Sequence, residues 1–546
     1  MTEDLTKTHS YLPKLVEQLK GGRVDRREFL RTATLLGLSA GAAFGLAGVP
    51  LSIATSRPAL AAGGGTVRMS HRLPPIDSPH TYTEVFTTNV ARQCLDYLTR
   101  TDFDNITHPW LLEKWEPSED LKTWDLTLKK GIKWSNGDEL VADHVIWNIK
   151  RWLDPNTGSS ILGLMKAYMM SEDGKSIWDA NAIEKVDDHH VRLNCRSAQL
   201  GVPEHLFHYQ AYILHPSENG KWGPGGLCTG PFSLTEHVVG KRAVVTRRDS
   251  YWGEAAKIES VEFIDLGDDP AAEVAALASG QVDGLFEGST AQYAVLKSLP
   301  KVKIHSVPTA QTAVARMQMI HKQWEDARVR KAMRLALDTE KLLQIAHLGL
   351  GLPGEPHHVA PVHPEYAKGH AMKQDIAGAK KLLADAGYPD GFESEIFCKQ
   401  DPDWEPIAVQ AMVEQWKQIG VRIKINVLPS AQYWDIWDKE TAPFAFTPWT
   451  HRPLGVMTMA LAYRTGVPWN ESKYSNPKLD ELITKAEGLV DIEQRREVMA
   501  AIEELMNEEG PVCIPLWRAV FTAVNERVKG YKAHPTSYIF CEQWSV

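Results

Sequence analysis

Residues 395–427 read EIFCKQDPDWEPIAVQAMVEQWKQIGVRIKINV, and this stretch decides the fold class. Its first four residues predict a strand, and residues 406–416 predict a helix that begins at a proline. Gly420 ends that helix, and residues 421–427 alternate apolar with polar side chains, as a half-buried strand does. Strand, helix and strand at this spacing form a βαβ unit, so the sequence predicts an α/β protein.

Further patterns typical of strands and helices lie on both sides of this unit in the sequence. Residues 124–128 alternate as a strand should, and Asp143 is placed to cap a helix whose apolar residues fall at helical spacing. Asp375 is placed to begin a helix shortly before the βαβ unit. Two more helices are predicted to begin near Asn476 and near Asp491.

Length and composition narrow the class of protein further. The chain has 546 residues, more than one ordinary domain, and predicts two or three domains. Hydrophobic residues make up 43% and charged residues 24%, so the chain can bury a large core. The formal net charge of -9 argues against a nucleic-acid partner, which a basic footprint would indicate. Tryptophan occurs 18 times, more often than tyrosine or phenylalanine, and indicates heavy use of large flat rings.

The N-terminal residues resemble an export signal. Arg26 and Arg27, followed by Phe29 and Leu30, resemble the twin-arginine (Tat) motif. Residues 32–49 then form an uncharged run rich in alanine, glycine and leucine. A charged region followed by an apolar region is the order found in exported precursors.

Small residues that signal peptidase accepts end at Ala61, so we expect cleavage after that residue. Residues 1–61 would then be a Tat signal peptide, read by the Tat translocase, and the mature chain would be periplasmic. The alternative is a retained membrane anchor, because the uncharged run reaches roughly 25 residues when it is extended to Ser56.

Neither the cysteine spacing nor any sequence motif indicates a metal site or an active site. No two of the six cysteines have the Cys-x-x-Cys spacing, and an exported chain can hold disulfides or free buried thiols. No zinc helix, phosphate loop or dinucleotide fingerprint occurs, so we expect no cofactor, no metal site and no catalytic residue. A Gly-x-Ser-x-Gly match at residues 37–41 lies inside the leader and lacks the strand-turn-helix context that it requires.

Six blocks in a fixed order carry a family resemblance. They are WDLTLKKGIKWSNGD (124–138), CTGPF with RDSYW (228–232 and 248–252), LASGQVD (277–283), DARVRKAM (326–333), AKKLLADAGYP (379–389) and NPKLD (476–480). Together, and after an export signal, they resemble the family 5 extracellular solute-binding proteins. These are the dipeptide-, oligopeptide- and nickel-binding components of ABC importers. The resemblance covers about residues 66–530.

The resemblance implies a two-lobe periplasmic-binding-protein fold of type II, in its large peptide-binding class. Lobe I would comprise residues 62–310 with an inserted subdomain, lobe II residues 311–517, and residues 518–546 would return to lobe I. Two hinge crossings would join the lobes, which close on the ligand between them. The implied partners are a small-molecule ligand and the permease and ATPase subunits of the importer, with the chain itself a monomer.

The window FTPWTHRPLG at residues 446–455 is the first candidate for the binding site. Peptide binders of the family carry a tryptophan here, followed by an aspartate that grips the α-amino group of the ligand. Trp449 matches the tryptophan, but Thr450, His451 and Arg452 stand where the aspartate would be. Because a buried ammonium needs an anionic partner, ordinary recognition of a free peptide N-terminus is not expected.

Arg452 suggests a different ligand chemistry. Its planar guanidinium binds carboxylates through two parallel hydrogen bonds. We hypothesise that Arg452, with His451, contacts an anionic or carbonyl-rich part of the ligand. The alternatives are an arginine in a surface loop and one paired with an acid of its own lobe.

The resemblance implies other cleft residues in five further places. His71 and Arg72 follow the first strand of the mature chain, and Thr229 and Gly230 form a turn. The remaining candidates are Met317 after the first crossing, Trp434 on a predicted helix and His358 in a loop rich in proline and glycine. Core packing for Trp434 and a solvated loop for His358 are the alternatives.

The function predicted from the sequence is a periplasmic receptor of an ABC importer, not an enzyme. It would capture a peptide or peptide-like molecule between the lobes and deliver it to the permease. The alternatives are a receptor for a non-peptide anionic solute or a metal chelate and, in another class, an exported Tat-dependent enzyme. The identity of the ligand stays open.

Overall fold

A computed structural model describes residues 2–48, 64–267, 269–369 and 372–546. Its helices are α1 (Thr2–Thr8), α2 (Leu12–Lys20), α3 (Arg26–Leu35), α4 (Ala40–Leu46), α5 (Val85–Arg92), α6 (Ala142–Leu153), α7 (Ile161–Met169), α8 (Val202–His205), α9 (Pro270–Ser279), α10 (Tyr293–Ser298), α11 (Lys322–Glu325), α12 (Ala327–Leu335), α13 (Thr339–His347), α14 (Ile376–Asp385), α15 (Trp404–Trp416), α16 (Ser430–Ile436), α17 (Gly455–Ala462), α18 (Pro477–Gly488) and α19 (Ile492–Glu509).

Its strands alternate with these helices along the chain. They are β1 (Thr66–Ser70), β2 (Thr99–Thr101), β3 (Thr107–Pro109), β4 (Leu112–Pro117), β5 (Thr123–Leu128), β6 (Ile183–Asp187), β7 (His190–Asn194), β8 (Phe232–Val238), β9 (Arg242–Arg247), β10 (Ser260–Ile264), β11 (Gly284–Leu285), β12 (Val302–Met317), β13 (Gly351–Pro353), β14 (Glu393–Lys399), β15 (Arg422–Leu428), β16 (Phe444–Trp449), β17 (Val512–Cys513) and β18 (Leu516–Asn525).

The predicted βαβ unit is confirmed. β14 and β15 pair in parallel over their whole length, with Glu393 opposite Arg422, and α15 is the crossover between them. α15 begins at Trp404, two residues before the predicted start. This earlier start is possible because a proline such as Pro406 is tolerated in the first helical turn, where its missing N–H would have no partner.

One mixed sheet of the described residues joins the two halves of the molecule. Its order is β15-β14-β16-β12-β18-β11-β1-β10-β9-β8. The strands from β15 to β16 belong to lobe II and those from β11 to β8 to lobe I, and the antiparallel pair of β12 and β18 lies between them. The predicted hinge crossings, near residues 309–313 and 516–519, fall on these two strands, while the exact lobe boundaries stay predictions.

β12 contains an irregularity at the crossing. Pro308 lies opposite Ala519 and Gln311 lies opposite Arg518, so two residues of β12 have no counterpart on β18. Such extra residues bend a strand and leave backbone groups without ladder partners. The chain therefore changes direction where it passes from lobe I to lobe II.

The inserted subdomain is a four-stranded sheet in the order β4-β5-β7-β6, with α6 packed against β6 and β7. Trp124 and Trp152 are buried in its core, as predicted. The prediction that Asp143 caps α6 is wrong, because Val141 is the N-cap residue and Asp143 lies in the first turn. There its carboxylate complements the positive end of the helix dipole and pairs with Lys185 at 2.7 Å.

Three helices of lobe II begin at the cap residues that the sequence predicts. Asp375 accepts a hydrogen bond from the Gly378 N–H at the start of α14. Asn476 and Asp491 cap α18 and α19 in the same way. These three predicted helix starts are confirmed, because a side-chain oxygen satisfies N–H groups that the helix itself leaves without partners.

Apolar packing crosses the predicted lobe boundary. One buried cluster holds the sheet of lobe II, with residues such as Trp324, Trp416 and Phe444. A second cluster holds the core of lobe I together with α17, α18 and α19, which the sequence places in lobe II. The two lobes are therefore packed against each other, with helices of lobe II lying against lobe I.

Residues 2–48, predicted as part of an export signal, form four helices that pack on the rest of the chain. Phe29 and Leu30 are buried in the same apolar cluster as lobe I. Arg26 and Arg27, the two arginines of the predicted Tat motif, are exposed.

The uncharged run of the leader is divided between two helices. α3 ends at Leu35, the backbone turns at Gly37 with a φ of +86°, and α4 begins at Ala40. In the part of the chain described, no helix is long and apolar enough to cross a membrane. Ala61 lies outside the described residues, so cleavage and the anchor alternative stay predictions.

The six cysteines are buried free thiols, which resolves the question that the sequence left open. They are Cys94, Cys195, Cys228, Cys398, Cys513 and Cys541. Burial raises the pKa of the Cys398 and Cys513 thiols to about 12, so both stay protonated at neutral pH.

The close contact of two turns in the βαβ unit gives a test of this packing. Gly391 has a φ of +79°, and a Cβ there would lie 2.1 Å from the Gly420 carbonyl oxygen. We expect Gly391→Ala to lower the free energy of unfolding in urea by ~2–3 kcal/mol. Gly223→Ala is the control, because its Cβ would meet no atom within 4 Å. Equal unfolding midpoints for the two variants would contradict this packing.

Candidate functional site

Two cavities lie between the lobes and share Arg452. The first, here called the aromatic cavity, has about 420 Å³ of empty space and is lined by Thr83, Tyr209, Trp434, Trp437, Thr447, Pro448, Trp449, Thr450, Arg452 and Trp469. The second, the histidine cavity, has about 380 Å³ and is lined by Thr101, Asn105, Glu204, Phe207, His208, Tyr209, His451, Arg452, Pro453, Met457, His534, Thr536 and Tyr538.

Trp449 is held by a buried charge pair. It is the last residue of β16 and lies opposite Thr312 of β12. Its indole N–H donates to Glu471 Oε1 at 3.1 Å, and Glu471 Oε2 accepts from Arg316 Nε at 2.9 Å. Burial raises the pKa of Glu471, and the Arg316 guanidinium opposes that shift. Glu471 is thus already paired in lobe II and fixes the ring plane of Trp449.

Arg452 lines both cavities, and its contact with a ligand stays a prediction. It is 4% exposed, so it is not a surface arginine, and in the described residues it has no carboxylate partner within 4 Å. Its Nη1 donates to the Thr450 carbonyl oxygen at 2.8 Å and also to the Thr450 hydroxyl. Burial lowers the pKa of Arg452, and nearby tyrosines oppose that shift.

Aromatic rings replace a counter-ion around Arg452. The guanidinium carbon lies 5.8 Å from the ring centroids of Tyr209 and Trp449 and 6.0 Å from that of Trp469. Its Nε has no hydrogen-bond partner. Since a buried charge is costly without an anion, the cation–π contacts compensate only part of that cost, and an anionic ligand group would supply the rest.

A second buried guanidinium, that of Arg92, packs over the ring of Tyr538, which lines the histidine cavity. The guanidinium carbon of Arg92 is 3.5 Å from the Tyr538 ring centroid and 4.8 Å from that of Tyr97. Within the described ranges Arg92 forms no ion pair either. Sequence reasoning missed Arg92, Tyr209, Trp469 and Tyr538, and the excess of tryptophan was the one signal that pointed toward such aromatic walls.

His451 connects the site to the hinge. Its Nδ1 accepts the N–H of Ala310, one of the two unmatched residues of β12, at 3.0 Å. Its Nε2 therefore carries the proton and donates to Asn105 Oδ1 of lobe I at 3.2 Å. Burial, with further contributions from His363 and other neighbours, lowers the pKa of His451 well below its usual range, so the ring is neutral.

His358 lies behind Trp449 and not in a solvated loop, so that alternative is wrong. Its ring centroid is 5.5 Å from that of Trp449, and its Nδ1 bonds the Tyr463 hydroxyl at 2.7 Å. Trp434 lines the aromatic cavity, and its indole N–H donates to Glu84 of lobe I. Trp434 also packs against the buried cluster of Tyr433, Ala442 and Ala445, so it combines core packing with a place in the cavity wall.

The other predicted cleft residues lie outside the two cavity walls. His71 is buried among the rings of Phe86, Phe263 and Phe286, and Arg72 pairs with Asp265 at 3.4 Å. The structure thus places both within lobe I, because the loop after β1 turns into its own core.

The turn before β8 and the end of β12 are equally enclosed. Thr229 is buried, and the N–H of Gly230 donates to the Cys94 carbonyl oxygen at 2.8 Å. Met317 belongs to the apolar cluster of lobe II. For these residues, as for His71 and Arg72, a ligand contact stays a prediction that rests on the resemblance alone.

Metal chemistry finds no support in this part of the molecule. Over the described ranges, no group of three or more histidine, cysteine, aspartate or glutamate side chains could hold a metal ion. The histidines near the cleft are instead bonded to backbone groups, amides and hydroxyls.

Comparison with known proteins identifies the class. Residues 107–471 match the model of the bacterial extracellular solute-binding proteins, family 5, middle region. The chain belongs to this family. The dipeptide-binding protein DppE of Bacillus subtilis is 24% identical over 472 residues, which cover 82% of this chain and 85% of DppE.

Solved structures show the same fold. The murein tripeptide-binding protein MppA of Escherichia coli gives a TM-score of 0.79 at 20% identity, covering 89% of this chain and 98% of MppA. The binding protein AgaA of A. tumefaciens R10, in complex with agropinic acid, gives 0.78 at 20% identity, covering 89% and 99%. The predicted two-lobe, type II fold is therefore confirmed.

The pair of Glu471 and Arg316 makes a stability prediction. Glu471→Ala would leave the Arg316 guanidinium buried without a counter-ion, so we expect the free energy of unfolding in urea to fall by ~3–5 kcal/mol. Glu481→Ala is the matched control, because Glu481 pairs with Lys478 on the exposed face of α18 and should change stability by less than ~1 kcal/mol. Similar losses in the two variants would contradict the role given to Glu471.

Proposed function

We propose that this protein is the solute-binding receptor of an ABC importer. It captures a small molecule between lobe I (residues 62–310 and 518–546) and lobe II (residues 311–517), and it passes that molecule to the permease, which the ATPase drives. Membership of family 5 supports this function, as do relatives named for binding dipeptides, oligopeptides and glutathione. In this proposal the receptor is a monomer that catalyses no reaction.

The N-terminal leader supports a periplasmic location for the proposed receptor. The twin arginines and the small residues before Ala61 support export by the Tat translocase and removal of residues 1–61. The mature receptor would then work in the periplasm. Relatives named as periplasmic oligopeptide-binding proteins support the same location.

The ligand that we propose is peptide-like and carries an anionic or carbonyl-rich group. The single observation behind this is Arg452, a buried cation that lines both cavities without a carboxylate partner in the described residues. Trp449, Trp434 and Thr450 would line the ligand, and His451 would position the loop. A non-peptide acid is the second candidate, and AgaA, which has the same fold and binds agropinic acid, supports it.

Titration calorimetry with the Arg452→Gln variant tests this ligand class. Mass spectrometry of the purified protein first identifies the co-purified solute. A panel of free, N-acetylated and C-amidated tripeptides and of small dicarboxylic acids serves as an independent set of probes. Since a hydrogen bond between charged groups contributes ~1.5–3 kcal/mol, we expect the variant to bind a carboxylate-bearing solute ~10–100-fold more weakly.

Two controls sharpen the result. The amidated analogue of the same solute should bind the variant and the unaltered protein with affinities within about twofold, because it offers no charge to Arg452. Arg422→Gln changes an exposed arginine at the start of β15 and should leave every affinity unchanged. Unchanged affinity of Arg452→Gln for the carboxylate form would overturn the proposed ligand class.

A further inference from the structure

The N-terminal helices touch both lobes. On the side of lobe I, Arg27 Nε donates to the Asp104 carbonyl oxygen at 2.7 Å, and the indole of Trp115 donates to the Leu35 carbonyl oxygen at 3.0 Å. On the side of lobe II, Arg496 of α19 donates to Glu28 at 2.6 Å. Residues 2–48 therefore bridge the lobes beside the cleft.

Arg31 of α3 reaches the wall of the histidine cavity. It is 4% exposed, and its Nε and Nη2 donate to Glu204 Oε1 at 2.9 and 2.6 Å. Glu204 lines the same cavity as Arg452. Its second oxygen, Oε2, is buried and has no hydrogen-bond partner.

We infer that residues 2–48 mask a cation subsite in the wall of the histidine cavity, with Arg31 in the place of a cationic group of the ligand. When the segment leaves, Glu204 becomes an acid without its counter-ion on a wall that it shares with Arg452. The freed site then suits a zwitterionic solute, whose ammonium or guanidinium pairs with Glu204 and whose anionic group pairs with Arg452. This inference rests on the proposed receptor function and on the proposed removal of residues 1–61.

Glu204 would supply the carboxylate that the loop at residues 450–452 lacks. A buried acid that loses its cation must take up a proton or bind another cation. Burial raises the pKa of Glu204, and besides Arg31 the guanidinium of Arg495 on α19 opposes that shift. Arg495 itself makes a long hydrogen bond to the Leu489 carbonyl oxygen at 3.5 Å. Either a ligand or Arg495 can therefore compensate the charge of Glu204 once Arg31 has gone, and an experiment separates the two.

Hydrogen–deuterium exchange of the full chain tests the docking itself. In the unaltered protein we expect the amides of residues 26–35 to be protected at least ~10-fold relative to the Arg31→Ala variant. Arg26→Ala is the matched control, because Arg26 is exposed on the same helix, and its exchange should equal that of the unaltered protein. Exchange of residues 26–35 at the unprotected rate in the unaltered chain would overturn the inference.

Rescue by a small cation tests whether Glu204 forms a cation subsite. Arg31→Ala leaves room beside Glu204, so millimolar ethylguanidinium should raise its thermal midpoint by ~2–4 °C. The neutral isostere ethylurea should have no such effect. The double variant Arg31→Ala/Glu204→Gln, which removes the buried charge, should be insensitive to both compounds.

Each result is decisive for this inference. Equal responses of the single and the double variant to ethylguanidinium would mean that no cation subsite exists or that Arg495 fills it, and would overturn the proposal. Neither measurement involves the transported solute or Arg452, so failure here is distinguishable from failure of the receptor function.

Discussion

The pairing of β12 with β18 is the constraint on which the rest of the structure depends, because it carries the chain between the lobes. Within it, Thr309 and Ala310 are extra residues, and an unmatched N–H must find another partner. The Ala310 N–H finds one in His451, which also holds Asn105 of lobe I, next to Arg452. His451 thus joins β12 and the loop at residues 450–452 in one hydrogen-bonded unit, so bending at the crossing would move the loop that carries the buried guanidinium.

Two buried arginines of lobe II show how the environment assigns different roles to the same side chain. Arg316 has Glu471 at 2.9 Å together with backbone carbonyl groups, so its hydrogen-bonding capacity is used within the lobe. Arg452 is surrounded by three aromatic rings and bonds the Thr450 hydroxyl, and its Nε has no hydrogen-bond partner. The first arginine stabilises the fold and holds Glu471, which orients Trp449, whereas the second lines both cavities and has a buried Nε without a hydrogen-bond partner. Under the proposed function, selectivity for an anionic group would follow from that difference and not from net charge.

The sequence predicted the architecture well, because its signals are local. Asp375 and Asn476 cap helices through contacts within three residues, and the alternation at residues 421–427 reports on one face of a strand. The site depends on partners that are distant in the chain, and no spacing rule links them. Glu471 reaches Arg316 across 155 residues, and Glu204 reaches Arg31 across 173. The resemblance pointed to the loop at residues 449–452, which lines the two cavities, because a family motif carries such long-range information in local residues.

The proposed export and the docking of the N-terminal helices make opposite demands on the same residues. Under the proposed Tat export, Phe29 and Leu30 would have to be accessible beside the exposed Arg26, yet both residues are buried against lobe I. Their release must break the contact between Arg31 and Glu204, and a buried ion pair is costly to separate because each charge then lacks compensation. A zwitterionic ligand that supplies a cation to Glu204 lowers that cost, so solute binding and release of the leader would favour each other. By the same linkage, a precursor with its leader docked would bind such a solute more weakly than the proposed mature chain.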